Sequence, residues 1–427
     1  MSVKPLAVAV RALSLVGLSV AVQVSAEPIQ VATSLTTEYS DNINQRANGE
    51  GDTVVRATVS ANYRNESGIV ENTFSGALGL ETYLSSVFDN DATIDLSWLS
   101  LINVIPQRFV WRIEEDLGEV RQSSTRPETP DNRERRNYFS TGPSFFLPIT
   151  LTDTLNFQAN YARTDYDQTA ESDTYRYGGS VGWIHMTPRQ LRVTWTNQID
   201  QVFYDDDDTE FLTKGTSLGF AKRHEFLDWQ LEAGYSQTEA EQFGGTSTYD
   251  GFEGEASVGY QINSDARLRL FASRQLTDTS SRFAVVVFDI PLTFDIQQVV
   301  QLTMYEARYT QNLTPVDTLN VAAVRRYEEF QRTLESEESN ALEARWHRRF
   351  TETLSGFLYG NLEYRRYTEL DREDYEYDVG VGVEARAYKN LSLNAWIGFR
   401  QHDSDDRQYD YNETRFGITV NYYPSFD

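Results

Sequence analysis

The stretch Arg-Phe-Gly-Ile-Thr-Val-Asn-Tyr, residues 415–422, sets the pattern that the rest of the chain follows. Successive side chains of a β-strand point to opposite faces, so alternating residue types predict a strand with two different faces. Such a strand suits a sheet that separates lipid from water. One face is apolar and the other is polar or glycine: Phe416, Ile418, Val420 and Tyr422 against Arg415, Gly417, Thr419 and Asn421.

The spacing within this stretch resembles the C-terminal signal of bacterial outer-membrane barrels. The matching positions are Arg415, Gly417, Val420 and Tyr422. The resemblance implies that the barrel-assembly machinery reads this strand during insertion. Such chains often stop on an aromatic residue, whereas this sequence continues to Asp427.

The same alternation recurs from residue 29 onward, and residues 227–235 show it most clearly. Short turns alternate with longer acidic loops, which is typical of a transmembrane barrel. The longer loops are predicted at residues 41–52, 122–135, 205–210, 238–249 and 402–408. We therefore predict an all-β fold: a transmembrane, antiparallel, up-and-down β-barrel of about 20 strands, within a range of about 18 to 22.

A soluble β-sandwich also alternates, but single hydrophobic cores stop growing at about 250–300 residues. Here the pattern continues without a linker through most of the 427 residues. The membrane barrel is therefore the favoured interpretation. A barrel of this width leaves a water-filled lumen.

The N terminus has the features of a secretory signal peptide over residues 1–26. Lys4 and Arg11 give a basic start, an apolar run follows, and Val24-Ser25-Ala26 precedes the predicted cleavage site. The remaining residues, 27–427, are predicted to form a single barrel domain. Because the first strand begins close to the cleavage site, we expect no plug domain.

Composition narrows the possible partners. The formal net charge is −26, and it becomes −28 without Lys4 and Arg11. A strongly acidic chain is a poor match for nucleic acid, whose phosphates need Lys and Arg. The chain has no cysteine, which excludes a disulfide scaffold. Its 25 Tyr, 23 Phe and 7 Trp fit aromatic belts at two membrane interfaces, so we expect outer-membrane lipid as a partner.

Two motifs resemble a specific group of proteins. Residues 129–134, Thr-Pro-Asp-Asn-Arg-Glu, precede Asn-Tyr-Phe-Ser-Thr-Gly-Pro at residues 137–143. Residues 39–43, Tyr-Ser-Asp-Asn-Ile, resemble the opening motif of the same group, and Trp111 with Glu115 and Asp116 also fits. The group is the uncharacterised outer-membrane β-barrels that accompany exosortase (PEP-CTERM) and exopolysaccharide systems in Gram-negative bacteria. The resemblance implies a role in surface-polymer export or assembly.

Candidate catalytic and metal-binding residues are few. The four histidines are His185, His224, His347 and His402, and His402 lies beside acidic residues on a predicted outer loop. This arrangement would suit a surface hydrolase, but a solvated acidic loop is the simpler interpretation. The acidic run at residues 205–208 lacks the spacing of a calcium loop. We expect no enzyme activity, no cofactor and no bound metal.

Two features bear on transport. Residues 283–296 form an apolar stretch within a predicted outer loop, so Phe283, Val286, Phe288 and Phe294 are candidates for a constriction loop. The alternative is a hairpin sealed by its own side chains. Charges on the polar faces of the strands are predicted to line the lumen and to set its solute preference. These are Arg56, Arg112, Arg192, Glu232, Arg267, Arg269, Glu343, Arg345, Glu363, Arg365, Glu384 and Arg386.

The sequence thus predicts a protein of the Gram-negative outer membrane that forms a pore or conduit for hydrophilic solutes, plausibly linked to exopolysaccharide export. A non-conducting scaffold that docks polysaccharide or export-system proteins is the alternative. A surface hydrolase is the weakest one.

Overall fold

A computed structural model describes residues 29–66, 68–205, 209–242, 245–278, 298–332 and 336–424. The predicted signal peptide and the predicted constriction residues Phe283–Phe294 lie outside the described residues. The described chain is almost entirely β-strand. No helix within it is long and apolar enough to cross a membrane.

Twenty strands run along the chain. They are β1 (Gln30–Ser40), β2 (Asp52–Asn65), β3 (Val70–Tyr83), β4 (Asp91–Ile105), β5 (Phe109–Arg121), β6 (Arg133–Pro148), β7 (Asp153–Tyr166), β8 (Thr174–Met186), β9 (Arg192–Tyr204), β10 (Glu210–Arg223), β11 (Leu227–Gln242), β12 (Gly245–Asn263), β13 (Ala266–Asp278), β14 (Val299–Thr314), β15 (Asp317–Phe330), β16 (Ser336–Arg349), β17 (Leu354–Tyr367), β18 (Arg372–Tyr388), β19 (Leu391–Ser404) and β20 (Tyr411–Tyr422). Short 3₁₀ turns occur at Pro130–Asn132, Ala170–Ser172 and Arg407–Tyr409.

Each strand pairs antiparallel with the next one along the chain, and β20 pairs with β1. The sheet is therefore a closed up-and-down barrel, and the prediction of about 20 strands is confirmed. The closing ladder runs from Thr33–Tyr422 to Ser40–Arg415. Two side-chain hydrogen bonds cross the same seam: Thr36 with Thr419, and Ser40 with Glu413.

The apolar side chains of the strands face outward. On β20, Phe416 and Ile418 are about half exposed, and Val381 on β18 and Leu358 on β17 are equally open. In water such a surface would be unfavourable, whereas in lipid it is the expected exterior of a barrel. The polar residues between them face the lumen, where they contact residues from distant strands.

Aromatic side chains border this apolar band on both sides. Near the longer loops, aromatic pairs on neighbouring strands pack with ring centroids 5.0 to 5.7 Å apart. Near the short turns, Trp183 and Trp195 are directly opposite each other. From Tyr175 to Trp183 along β8 is about 27 Å of strand, or about 20 Å along the axis at a tilt of about 40°. The spacing suits the hydrocarbon layer of a membrane.

Two predicted loops are partly strand in the structure. Residues 238–249 were expected to form a long loop, but β11 continues to Gln242 and β12 begins at Gly245. His402 was expected on an outer loop, but it lies within β19. Both predictions were wrong for the same reason: the strands continue beyond the apolar band, where the outward residues are polar and alternation no longer marks them.

Candidate functional site in the lumen

The inner surface of the barrel has two unlike sides. The charged wall consists of the inward side chains of β15–β20, and the neutral wall of those of β7–β10. The neutral wall is mostly amide, hydroxyl and glycine. Its inward residues include Asn156, Gln158, Asn160, Ser180, Thr194, Thr196, Gln198, Thr213 and Ser217.

Asp378 on β18 is at the centre of the charged wall. It accepts hydrogen bonds from Arg400 at 3.1 Å and from Arg415 at 2.6 Å. Its side chain is only 10% exposed. Glu413 on β20 completes the group, 3.9 Å from Arg400 and 3.8 Å from Arg415. Arg400 and Arg415 share the carboxylates of Asp378 and Glu413. All four side chains are therefore held in fixed positions against the wall.

A second layer of the charged wall lies nearer the longer loops. His402 on β19 lies 3.7 Å from Asp374 and 3.5 Å from Glu376, and its ring stacks on Tyr411. The acidic neighbours of this histidine are therefore on β18, not among the loop residues that follow it in sequence. A histidine held between two carboxylates within a strand is a structural contact of the wall.

The loop between β5 and β6, residues 122–132, reaches the charged wall; we call it the crossing loop. Ser124 donates to Glu337 on β16 at 3.0 Å. The backbone oxygen of Ser124 accepts from the Tyr367 hydroxyl on β17 at 3.0 Å. The backbone oxygen of Thr125 accepts from Arg372 at 2.8 Å. The loop thus joins two sides of the barrel that are far apart in sequence, and it narrows the lumen.

Asn132 holds the crossing loop in shape. Its side chain is fully buried. The amide nitrogen donates to the backbone oxygens of Ser123 and Pro127, both at 2.9 Å. The amide oxygen accepts from the backbone N–H of Ser123 at 3.0 Å. One side chain therefore satisfies several backbone groups that the turn leaves unpaired.

Arg372 anchors the far side of the crossing loop. Its guanidinium group packs over the rings of Tyr367 and Tyr409, 4.6 and 4.2 Å from their centroids. It also pairs with Asp374 at 3.0 Å, and both side chains are 4% exposed. Between the crossing loop and the charged wall is a cavity of about 270 Å³.

The β13–β14 hairpin also contacts strands that it does not pair with, β8 to β11. At its base, Leu276 and Val299 pack in one buried cluster with side chains of β9–β11: Val202, Tyr204, Phe211 and Ala240. Asp278 at the end of β13 forms an ion pair of 2.6 Å with Arg176 on β8. The base of this hairpin therefore leans into the lumen. The apolar stretch predicted to constrict the pore lies between β13 and β14 in the sequence, outside the described residues, and its constriction role stays a prediction.

The predicted lumen charges lie on the inward faces of their strands. Seven of the twelve form five close pairs that the sequence did not identify: Arg56 with Glu81, Arg112 with Glu114 at 2.8 Å, Arg267 with Asp228 at 3.5 Å, Arg345 with Glu384 at 4.0 Å, and Glu363 with Arg365 at 2.7 Å. Glu343 lines the cavity, and Glu232 is opposite Glu255. Arg192, Arg269 and Arg386 lie toward the short turns of β9, β13 and β18.

The remaining predicted residues belong to the assembly signal, the histidines and the acidic run. Arg415 and Gly417, predicted as part of the assembly signal, face inward, whereas Val420 and Tyr422 face outward. His185 lies at the end of β8 and contacts Asp153 at 2.8 Å. Most of the acidic run at residues 205–208 lies outside the described residues.

The loop at residues 122–135 was predicted from the sequence, but its inward course was not, and neither were the roles of Asp378, Arg400 and Arg372. The alternation of Asp374, Glu376 and Asp378 on one face of β18 was a visible signal for an acidic wall. Nothing in the sequence indicated which loop would turn inward.

No protein-family model and no curated protein matches the sequence. The structure is similar to the copper transporter OprC, with 9% identity, a TM-score of 0.47, and coverage of 93% of this chain and 80% of that one. It is also similar to the FrpB iron transporter of Neisseria meningitidis, with 8% identity, a TM-score of 0.47, and coverage of 92% and 81%. For the outer membrane protein opdK of Pseudomonas aeruginosa, the values are 10%, 0.41, 93% and 99%. At such identities and TM-scores no activity is carried over to this chain.

Proposed function

We propose that this protein is a pore of the Gram-negative outer membrane that passes hydrophilic solutes and selects them by size and by the charges of its lumen. The observation that carries the proposal is the combination of an apolar, aromatic-bordered exterior with a charged interior in one closed barrel. In this proposal the protein acts as a conduit and not as an enzyme, and no separate plug domain fills the barrel.

The crossing loop supports selection within such a pore. It leaves the wall of β5 and β6 and is held by β16, β17 and β18, so part of the lumen is closed to solute. The remaining passage runs along fixed charges and hydroxyl groups. Rings of charged and polar side chains set the preference of a channel for its solute.

The resemblance in the sequence extends the proposal to surface-polymer systems. The motif that carries the resemblance, residues 129–134, contains Asn132, the residue that holds the crossing loop in shape. A group of barrels that shares this motif would share the narrowing of the lumen. We propose that the solute is a saccharide, that export-system proteins are partners, and that the barrel-assembly machinery inserts the chain.

A non-conducting scaffold is the second candidate, and one observation favours it. Two elements project into the lumen from different sides: the crossing loop and the base of the β13–β14 hairpin. Together they would close the passage if no gap remained between them. The barrel would then present its outer loops as a docking surface. A surface hydrolase has less support, because His402 is enclosed by the charged wall.

Conductance in planar lipid bilayers tests the proposal. We expect the mature chain, residues 27–427, to form channels, and replacement of residues 123–131 by a short Gly-Ser linker to increase the single-channel conductance. Shortening the β3–β4 loop at residues 86–90 is the control and should leave conductance unchanged. Channels that appear only after removal of residues 123–131 would support the scaffold instead. If neither protein conducts ions in the bilayer, the proposed pore is contradicted.

A further inference from the structure

The lower part of the charged wall, toward the short turns, contains two rows of residues that run across β17, β18, β19 and β20. The first row is Tyr359, Gly380, Gly398 and Arg415, each opposite the next on the neighbouring strand. The second row is Phe357, Gly382, Trp396 and Gly417. Each row therefore combines aromatic residues with glycines at directly paired positions.

The aromatic rings lie flat on these glycines. A Cβ atom at position 380 would be 2.5 Å from Cε1 of Tyr359, and a Cβ atom at position 398 would be 2.7 Å from its hydroxyl. A Cβ atom at position 417 would be 2.6 Å from Nε1 of Trp396. These separations are shorter than any van der Waals contact, so the rings occupy the space that larger residues would fill. One face of each ring meets the wall, and the other is turned toward the lumen.

Two of the three rings are accessible. Phe357 is covered by the guanidinium group of Arg345, 4.6 Å above its ring, and is only 7% exposed. Tyr359 and Trp396 are half-buried, and the guanidinium group of Arg415 lies 5.6 Å from the centroid of the Trp396 ring, so only part of that ring is open to the lumen. They therefore form a flat, partly exposed aromatic surface within an otherwise polar lumen; we call it the aromatic platform. The lumen of a wide barrel is not a packed core, so this apolar surface does not serve to fill one.

Polar groups adjoin the aromatic platform on both sides. Asn361 and Asn394, on β17 and β19, each have an amide oxygen without a hydrogen-bond partner among the described residues. Above the platform, the Tyr359 hydroxyl donates to Asp378 at 3.4 Å. The platform thus combines ring faces with unsatisfied acceptors, and buried acceptors without a partner are costly unless a ligand or water meets them.

Charge narrows the chemistry of the solute further. The cavity between the crossing loop and the charged wall includes Tyr359 and carries eight carboxylates against six guanidinium groups. An anionic polymer would meet an excess of negative charge there. A solute with many hydroxyl groups and no net negative charge would instead find acceptors, donors and flat apolar surfaces together.

We propose that the aromatic platform is a binding subsite for a neutral saccharide, which stacks a sugar ring on Tyr359 and Trp396 and bonds its hydroxyl groups to the adjoining carboxylates and amides. This inference rests on the proposed function, because the solute must reach the platform through the lumen. The apolar C–H face of a pyranose matches the aromatic faces, and its hydroxyl edge matches the polar rows. Recognition of this kind uses the amphipathic character of the solute.

Isothermal titration calorimetry in detergent tests the inference without requiring conduction. The probes are maltohexaose (neutral), a chitosan hexamer (cationic) and hexagalacturonate (anionic). We expect maltohexaose to bind, with hexagalacturonate at least tenfold weaker. Trp396→Ala and Tyr359→Ala should each weaken maltohexaose binding by about tenfold. Trp195→Ala, which removes an outward-facing indole on β9, is the matched control and should leave binding unchanged.

The binding and conductance measurements distinguish failure of the saccharide subsite from failure of the proposed pore. Channels in bilayers with no saccharide binding would overturn the subsite and leave the pore intact. Binding of hexagalacturonate in preference to maltohexaose, or maltohexaose binding that both platform variants retain, would also overturn it. If one variant fails to fold, the other still decides, and the wild-type preference for maltohexaose over hexagalacturonate is a test that needs no variant.

Discussion

The charged wall and the neutral wall have similar outer faces and very different inner ones. Leu358 on the charged side and Val181 on the neutral side are both about half exposed to the outside. Inside, Asp378 holds two arginines on one wall, whereas Gln198 on the other lies opposite Ser180 and Gly215. The neutral wall has its own ion pair, Arg176 with Asp200, nearer the longer loops. Every strand must present apolar side chains to the lipid, whereas the side chains that face the lumen are not restricted to one type. The inner face is therefore the part of a barrel that function is free to shape.

The difference also shows where the crossing loop can be held. Its anchors are Glu337, Tyr367 and Arg372, all on the charged wall. Charged hydrogen bonds are about twice as strong as neutral ones. Ordering a loop across the lumen costs conformational entropy, and strong hydrogen bonds of this kind offset that cost. The neutral wall is met at the base of the β13–β14 hairpin by an apolar cluster together with one ion pair, Asp278 with Arg176.

The largest effect should come from the centre of the charged wall. Asp378→Ala would leave Arg400 and Arg415 close together without their shared carboxylate. Removing one partner of a buried ion pair costs about 3 kcal/mol or more. We expect this loss in the free energy of unfolding, measured by chemical denaturation in lipid vesicles. Gln198→Ala on the neutral wall is the control, with an expected loss of less than about 1 kcal/mol. Equal losses would remove the distinction between the walls.

Releasing the crossing loop should have the next largest effect. Arg372→Ala removes the donor to Thr125 and the stacking on Tyr367 and Tyr409. A hydrogen bond from a charged donor contributes about 1.5 kcal/mol or more, so cleavage at Glu128 by a glutamate-specific protease should become about tenfold faster. Arg386→Ala, at the other end of β18, should leave the rate unchanged. An unchanged rate for Arg372→Ala would show that Arg372 does not hold the crossing loop.

Ion selectivity should respond in opposite directions on the two walls. Glu376→Gln removes a negative charge from the charged wall, and Gln198→Glu adds one to the neutral wall. A unit charge about 8 Å from a passing ion in water is worth about 0.5 kcal/mol, or about twofold in permeability ratio. Reversal potentials in a KCl gradient should therefore shift toward anions for the first variant and toward cations for the second. Shifts of the same sign would contradict a shared aqueous path.

The smallest effect concerns the loop between β7 and β8, beyond the neutral wall. Burial raises the pKa of Asp173 to about 6, although a hydrogen bond from the backbone N–H of Tyr166 at 2.6 Å opposes the shift. Because the folded state favours the protonated acid, its contribution to stability is present at low pH and is lost as the pH rises through about 6. Hydrogen exchange of residues 167–173, corrected for intrinsic rates, should show less protection at pH 7.5 than at pH 5. Asp173→Asn should remove this dependence, and its persistence would assign the effect to another group.

The barrel was predictable from the sequence because lipid imposes a regular pattern. Alternation in segments such as residues 415–422 gave both the strand type and an accurate strand number. The failures occurred where that constraint ends. Residues 238–242, residues 245–249 and His402 lie in strand extensions beyond the apolar band, where the outward residues are polar. A pattern that depends on apolar residues facing lipid cannot mark a strand that has passed beyond the lipid.

The lumen was less predictable for a different reason. Alternation assigns a charge to the inner face, but it does not show which partner the charge meets. Asp374 and His402 are neighbours only because β18 and β19 align in a particular register. The course of the crossing loop depends on Ser124 and Thr125 meeting residues more than two hundred positions away. Such contacts follow from the closed geometry and not from local sequence.

The ladder between β1 and β20 closes the barrel, so closure depends on both the first and the last strand. Strands that lack a neighbour offer rows of open N–H and C=O groups to any other strand, including one from a second copy. Until β20 meets β1, these two strands are the open edges of the sheet, and without β20 the edges are β1 and β19. A chain cut before Tyr411 would keep both edges and would aggregate through them, however well its other strands had paired.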